Sequence, residues 1–169
     1  MNIKKILMLT IFLAIFAMFT GTVSAANWTV NPGDNIQSTV DQASSTDTII
    51  VNDDNGTAYT YNENIVINKN ISLQSGGEVT IQAADSNSNV ITIISDGSTT
   101  IRGFTVTGGY NGIYLDSASN CYIKGNNISN NWFGMYSYSS PNNTISGNNI
   151  TDNWAYGLYF DSSPSFMVA

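Results

Sequence analysis

The chain repeats itself at a spacing of 22 residues through much of its length, and that period restricts what it can fold into. Four copies align in three registers. Ile71, Ile93, Leu115 and Ser137 form one, Val79, Ile101, Ile123 and Ile145 a second, and Ala84, Val106, Ile128 and Ile150 a third. A shorter register runs Ile91, Ile113, Met135. The most literal copies open with Ile123-Lys124-Gly125-Asn126-Asn127-Ile128 and Ile145-Ser146-Gly147-Asn148-Asn149-Ile150 and close on Trp132 and Trp154. Fixed self-similarity of this length means a solenoid, in which each repeat buries its apolar side only by stacking on the next.

The residues between the registers decide which solenoid. Gly, Asn and Ser corners separate three short runs per repeat, and within a run the side chains alternate: in Gly112-Ile113-Tyr114-Leu115 the aliphatics point in and the tyrosine out. Gly134-Met135-Tyr136 and Gly157-Leu158-Tyr159-Phe160 repeat this, the last copy with one extra residue near Ala155-Tyr156. Such repeats are poor helix formers. Strands stacked from turn to turn are parallel, and their crossovers are right-handed in nearly all cases. The expectation is an all-β chain, a right-handed parallel β-helix of about five turns. A short N-terminal capping helix should close one end, because Ile36, Val40 and Ala43 have helical spacing behind a Pro-Gly turn, with Asp34 as its N-cap. Thr48 to Val51, Asn64 to Ile67 and Ile71 to Gln74 read as strands, and Asp53 to Asn62 as a polar loop.

The first 25 residues read as an address. Lys4 and Lys5 precede an apolar run from Ile6 to Phe19 and a small-residue cleavage site, Val23-Ser24-Ala25. The domain assignment is therefore 1–25 signal peptide and 26–169 β-helix, with secretion or cell-surface display as the destination; a retained signal anchor is the other reading. Without Lys4 and Lys5 only Lys69, Arg102 and Lys124 oppose the 12 acidic residues, and such a surface repels phosphate backbones, so no nucleic-acid partner is expected. The chain has no His, which removes Ser-His nucleophile pairs and imidazole metal ligands. Cys121 is the sole cysteine and reads as a small buried thiol. Six Asn-X-Ser/Thr sequons occur, at Asn27, Asn55, Asn70, Asn127, Asn142 and Asn149. Asn127 and Asn149 are one period apart, so two bulky glycans could hardly share that position and at most a subset of the six is modified.

The Ile-Lys-Gly-Asn-Asn-Ile and Ile-Ser-Gly-Asn-Asn-Ile corners, followed by Gly134-Met135-Tyr136 or Gly157-Leu158-Tyr159, resemble the parallel β-helix repeat of pectin-lyase-like proteins. Asn35 to Gly76, with its Tyr61 to Ile67 stretch, resembles the opening of that family. The Asn-rich, His-free style is most similar to archaeal adhesin-like surface proteins and to the NosD-type carbohydrate-binding branch. The resemblance departs from the family at Phe166-Met167-Val168-Ala169, where a further turn begins with Val168 in the place of Ile145 and no cap follows. An uncapped turn invites association through its strand edges. The expectation is a domain truncated at this end, with end-to-end self-association through the last turn as the other outcome.

Enzymes of the resembled fold use Asp clusters, often with calcium, or paired Asp residues. Asp116 and Asp161 share a corner two turns apart, about 10 Å along the axis, at or beyond the outer limit of the roughly 5–9.5 Å over which glycosidase carboxylates cooperate; Tyr138 takes the corner between them. Asp53-Asp54 with Asn52 and Asn55 could form an oxygen-rich loop for calcium, though it reads better as an acidic turn. Catalytic residues and bound metals are therefore assigned to none. The aromatic rows are the binding candidates. Tyr110, Trp132 and Trp154 share one position on successive turns, and Tyr114, Tyr136 and Tyr159 another. Stacked about 5 Å apart they would form a flat strip suited to sugar rings, while the alternative is that they only stabilise the sheet. Arg102 and Lys124, one period apart, are secondary contacts for a sugar acid. Asn126 and Asn148 suggest a structural asparagine ladder. The function expected is an exported, non-catalytic surface module for adhesion or carbohydrate binding, or a spacer, with a polysaccharide or envelope glycan as partner. The alternatives are a polysaccharide lyase or glycoside hydrolase, and a remnant of a larger repeat protein.

Overall fold

The computed structural model describes residues 24–169, and the expected leader lies almost wholly outside the described residues. Inside them the chain winds as a parallel β-helix with three sheets. The first stacks seven strands: β1 (Asn27–Val30), β2 (Thr48–Val51), β5 (Ser72–Ser75), β8 (Thr100–Arg102), β11 (Tyr122–Lys124), β14 (Thr144–Ser146) and β17 (Met167–Val168). The second holds β3 (Tyr59–Asn62), β6 (Val79–Gln82), β9 (Thr105–Thr107), β12 (Asn127–Ser129) and β15 (Asn149–Thr151). The third holds β4 (Ile65–Ile67), β7 (Ile91–Ile93), β10 (Asn111–Asp116), β13 (Phe133–Tyr138) and β16 (Tyr156–Asp161). Seven strands in one stack make about six turns, one more than the repeat count predicts, because β1 and β2 precede the recognisable repeats.

The 22-residue registers hold from Ile91 onward and fail before it. Ile93 pairs with Ile67 and not Ile71, Ile101 with Leu73 and not Val79, and Val106 with Ile81 and not Ala84. The preceding turn carries longer corners at Ser75–Val79 and Ala83–Val90, so fixed spacing misassigns its first members. At the far end Phe133 pairs with Tyr156 and Met135 with Leu158, which places the extra residue of the last copy at Ala155-Tyr156 as the sequence implies. Val168 lies beside Ile145, as expected.

The core is a column of aliphatics shed inward by all three sheets, with Leu73, Ile101 and Ile123 fully buried in one file and Ile91 and Ile113 in another. The helix α1 (Ile36–Gln42) closes the N-terminal end with Ile36 and Val40 buried beneath it and Ala43 just beyond. Its N-cap is Asn35, whose Oδ1 accepts from Ser38 N at 2.7 Å, in place of Asp34. Asp34 instead closes the Pro-Gly turn by accepting from Asn31 N at 2.9 Å, and the first helical N–H groups of Ile36 and Gln37 donate to the Glu63 carboxylate at 2.8 and 3.0 Å. A carboxylate borrowed from the adjoining coil does here what an acidic first turn does elsewhere.

The polar segment Asp53 to Asn62 is a loop only in its first half. Asp54 and Thr57 exchange backbone hydrogen bonds of 2.9 Å around Asn55-Gly56, and Tyr59–Asn62 is the strand β3. Tyr61 faces the core beside Ile81 with its hydroxyl donating to the Asn52 carbonyl at 2.9 Å, so an apparently polar run supplies an inward aromatic. Burial first, then nearby charge, pushes the Tyr61 phenol up to about 12. Asp53, read as a possible calcium ligand, spends its carboxylate on the backbone N–H groups of Gly56 and Glu78.

Corners are held by asparagine ladders. Asn126 Oδ1 accepts from Phe104 N at 3.1 Å while its Nδ2 donates to Asn148 Oδ1 at 3.0 Å and to the Ile101 carbonyl at 3.1 Å. Asn131 and Asn153 repeat the arrangement at the next corner, with Gly109 N donating to Asn131 Oδ1 at 3.0 Å. A third amide, Asn143, accepts from Cys121 N at 2.7 Å. At these corners a buried backbone group is satisfied by an amide that both accepts and donates, while Ala118 N at a neighbouring corner donates to the Ser140 hydroxyl instead.

Candidate functional site

The third sheet carries the aromatic face, and its strands explain the placement. In β10, β13 and β16 the aliphatics Ile113, Leu115, Met135 and Leu158 turn inward, so Tyr114, Tyr136 and Tyr159 are forced outward and fall in register with one another. Gly112 and Gly134 precede them because the backbone there lies against the next turn. A Cβ at Gly134 would stand 2.5 Å from the Gly157 carbonyl oxygen and 2.6 Å from Ile150 Cγ2. The second row, Tyr110, Trp132 and Trp154, sits at the corner between the second and third sheets, just after the Asn131 ladder fixes that corner.

The rows are real but they do not form the flat strip that identical spacing implies. The Tyr114 and Tyr136 rings are 5.4 Å apart at 60°, and Tyr136 and Tyr159 are 5.0 Å apart at 89°. Neighbouring strands stand about 4.8 Å apart, wider than a direct face-to-face sandwich, and at that spacing aromatic pairs settle either edge to face, as in this row, or offset and parallel. Tyr110 and Trp132 stay nearly parallel, 6.5 Å apart at 14°, as do Phe133 and Tyr156, 5.9 Å apart at 17°. Trp154 is 80% exposed, the most open large aromatic of the described residues.

Sequence reasoning missed the residues that join the rows. Phe133 lies within 6 Å of Tyr110, Tyr136, Tyr156 and Tyr159, at centroid distances of 5.8, 5.7, 5.9 and 5.7 Å. With it the two rows become one continuous face. The signal was available: Phe133 and Tyr156 follow the tryptophan positions, but the extra residue at Ala155 hides their register. Their column begins as a polar ladder, with Asn111 Nδ2 donating to Asn89 Oδ1 at 2.7 Å, and changes character where Phe133 pairs with Asn111. Asn111 Oδ1 is left buried without a partner among the described residues, because the next rung brings a phenyl ring instead of an amide.

Beside Tyr110, Trp132 and Trp154 lies a shallow cleft of about 430 Å³ whose other walls are Ser86, Asn87, Asn130 and the Gly108-Gly109 backbone. Among the described residues no charged side chain lines it. The phenols nearby stay protonated: desolvation first, and the Asp116 carboxylate second, raise the Tyr114 pKa, and desolvation with Asp161 does the same for Tyr136. Each can therefore donate or accept a hydrogen bond at neutral pH.

Arg102 and Lys124 are in register with each other and exposed, as the spacing predicts, yet they stand on the first sheet. They flank a separate groove floored by Gly103, Gly125 and Gly147 and share no surface with the aromatic rows. The sequence treated them as secondary contacts of one site, and the three-sided cross-section separates them. Asp116 and Asp161 flank Tyr138 on successive strands, as the spacing predicts. Cys121 is buried, and desolvation pushes its thiol up to about 11.

The sequence profile of the right-handed β-helix region matches residues 79–168. A cell surface glycoprotein of Methanothermus fervidus is 40% identical over 88 residues, which is 51% of this chain and 14% of that protein. An alginate lyase from a Paenibacillus species superposes with a TM-score of 0.68 over 85% of this chain and 58% of the lyase at 15% identity, a likeness that speaks for the fold alone.

Proposed function

This chain belongs to the right-handed β-helix family, and from that premise we propose that it is a surface-displayed, non-catalytic module that holds a neutral glycan on its aromatic face. The relative named a cell surface glycoprotein supports the location, although this chain spans only 14% of its length, and the basic-apolar leader agrees with export. The observation that carries the binding reading is the cleft beside Tyr110, Trp132 and Trp154. It offers ring faces for the apolar sides of sugars, with amides and backbone groups to take their hydroxyls, and no charge to select an acid. A net charge of −7 works against polyuronates over the whole surface.

Titration calorimetry with neutral and acidic oligosaccharides tests this. Trp132→Ala should weaken a neutral ligand roughly tenfold, the equivalent of about 1.4 kcal/mol, while Lys124→Ala leaves it unchanged. Tight binding of a polyuronate with release of unsaturated sugars, seen by ultraviolet absorbance, would instead establish the lyase reading that the alginate lyase likeness raises.

A further inference from the structure

The six sequons are distributed unevenly around the solenoid, and none falls on the aromatic sheet. Asn27 lies on β1 of the first sheet, Asn127 and Asn149 lie on β12 and β15 of the second, and Asn55, Asn70 and Asn142 lie in corners. Their surroundings sort them further. Asn55 stands at the tip of the Asp54–Thr57 turn with φ of 51°, followed by Gly56 at 86°; Asn55 and Thr57 are both exposed, and the amide makes only a long 3.4 Å bond to Asp54 Oδ1 at the surface. Asn142 is exposed at a corner with φ of 59°. Asn70 is different. Its Oδ1 accepts from Ser95 Oγ, its sequon hydroxyl Ser72 Oγ accepts from Gln74 Nε2 at 2.7 Å, and its amide lies so close to Gly97 that a Cβ there would collide with it. Half-buried against Gly97 and tied to Ser95, that amide is the least accessible of the six in the folded chain.

Asn127 and Asn149 are paired rungs. They are register partners, and Asn149 Nδ2 donates to Asn127 Oδ1 at 3.0 Å. Adjacent strands are about 4.8 Å apart, less than the width of one sugar ring with its hydroxyls, so a glycan on one rung covers the amide of the other.

We propose that Asn27, Asn55, Asn142 and one of the two rungs Asn127 and Asn149 are N-glycosylation sites, that Asn70 is not, and that the glycans shield two sheets while the aromatic sheet stays bare. The inference rests on the exported reading of this chain. The donor is an oligosaccharide linked to a lipid phosphate. The C1–O bond to the phosphate breaks, the C1–Nδ2 bond forms, the lipid phosphate leaves with the bonding electrons, and the amide proton passes to a base of the transferase. A bare face among covered ones is what a module needs if its aromatic cleft is to reach a ligand in a crowded cell envelope.

The full chain, expressed behind a yeast secretion leader so that translocation does not depend on its own, is recovered folded from the medium and examined by intact mass and glycopeptide mapping. The expected result is a species carrying four glycans, on Asn27, Asn55, Asn142 and one of Asn127 and Asn149, and none at Asn70. Thr57→Ala should remove one glycan while keeping Asn55. Ser129→Ala and Thr151→Ala should each leave the count unchanged, because the other rung takes over, and the double variant should lose one. An unglycosylated secreted protein, a folded molecule carrying glycans on both Asn127 and Asn149, or occupancy of Asn70 overturns the proposal, without touching the glycan-binding reading of the aromatic face.

Discussion

Replacing Asn126 by Ala tests whether the asparagine ladders hold this solenoid together. Asn126 is 2% exposed, and its amide makes three bonds: it accepts from Phe104 N and donates to the Ile101 carbonyl and to Asn148 Oδ1. Truncation leaves the Phe104 N–H in a dry corner with no acceptor, which costs about 1–3 kcal/mol by itself. The two surrendered acceptors, one of them the Asn148 side chain that also receives Asn126 N, add roughly 0.5–1.5 kcal/mol between them. The sum is about 3 kcal/mol, a large share of the margin of a domain this size. Equilibrium urea unfolding followed by circular dichroism reads it as a shift in midpoint. Asn127→Ala, one residue away on the exposed side of the same corner, is the control and should fall within about 0.5 kcal/mol of the parent. If the two variants unfold alike, the ladder is decoration and the corners are held by the strand bonds alone.

Gly134→Ala should destabilise by more than about 2 kcal/mol, since its Cβ would meet the Gly157 oxygen at 2.5 Å; Gly125→Ala, where φ is +64° but nothing lies within 4 Å, should cost only the backbone strain of about 1 kcal/mol. Thermal melts of the two compare a collision with a conformational cost. The Cys121 thiol, pushed up to about 11 by burial, should resist iodoacetamide at pH 8 in the folded chain and react once urea exposes it; rapid labelling under native conditions would contradict its placement. Asp47 is buried and accepts from Ala26 N at 2.7 Å, Trp28 Nε1 at 2.8 Å and Ser44 N at 2.9 Å, and these bonds, Ala26 first, hold its carboxyl below the usual range. A depressed folded pKa gives stability that is complete above the ordinary carboxylate pKa and is lost as pH falls through the folded value. Asp47→Asn should therefore be less stable at pH 7 and should flatten the acid limb of the stability profile measured by urea midpoint. Cleavage after Ala25 would turn the Ala26 donor into an ammonium beside the same carboxylate, so a chain starting at Ala26 should be more stable than its N-acetylated form.

The repeat alone determined the parallel β-helix, the inward aliphatics, the outward tyrosines and the Asn126 ladder, because each depends on period-2 alternation and on a turn length that stays constant from Ile91 to Ser146. Those signals are local, and local signals survive in a one-dimensional string. The helix at Ile36–Gln42 was legible for the same reason, its apolar spacing being self-contained. What the string could not give was decided by how turns of unequal length stack. Ile67, Leu73 and Ile81 replace Ile71, Val79 and Ala84 because corners before Ile91 absorb extra residues, and no periodicity reports a corner's length. Tyr59–Asn62 became a strand because β6 lay alongside to pair with it. The aromatic face shows the same division. Its rows were visible, but whether neighbouring rings meet edge to face or stack offset is decided by packing around each ring, and Phe133 joined them only after the added residue at Ala155 shifted Tyr156 into line. Arg102 and Lys124 read as part of one site until a three-sided cross-section put them on another sheet. Sequence spacing reports distance along the solenoid axis. Which side of the solenoid a residue faces is settled by the corners, and that belongs to the tertiary structure.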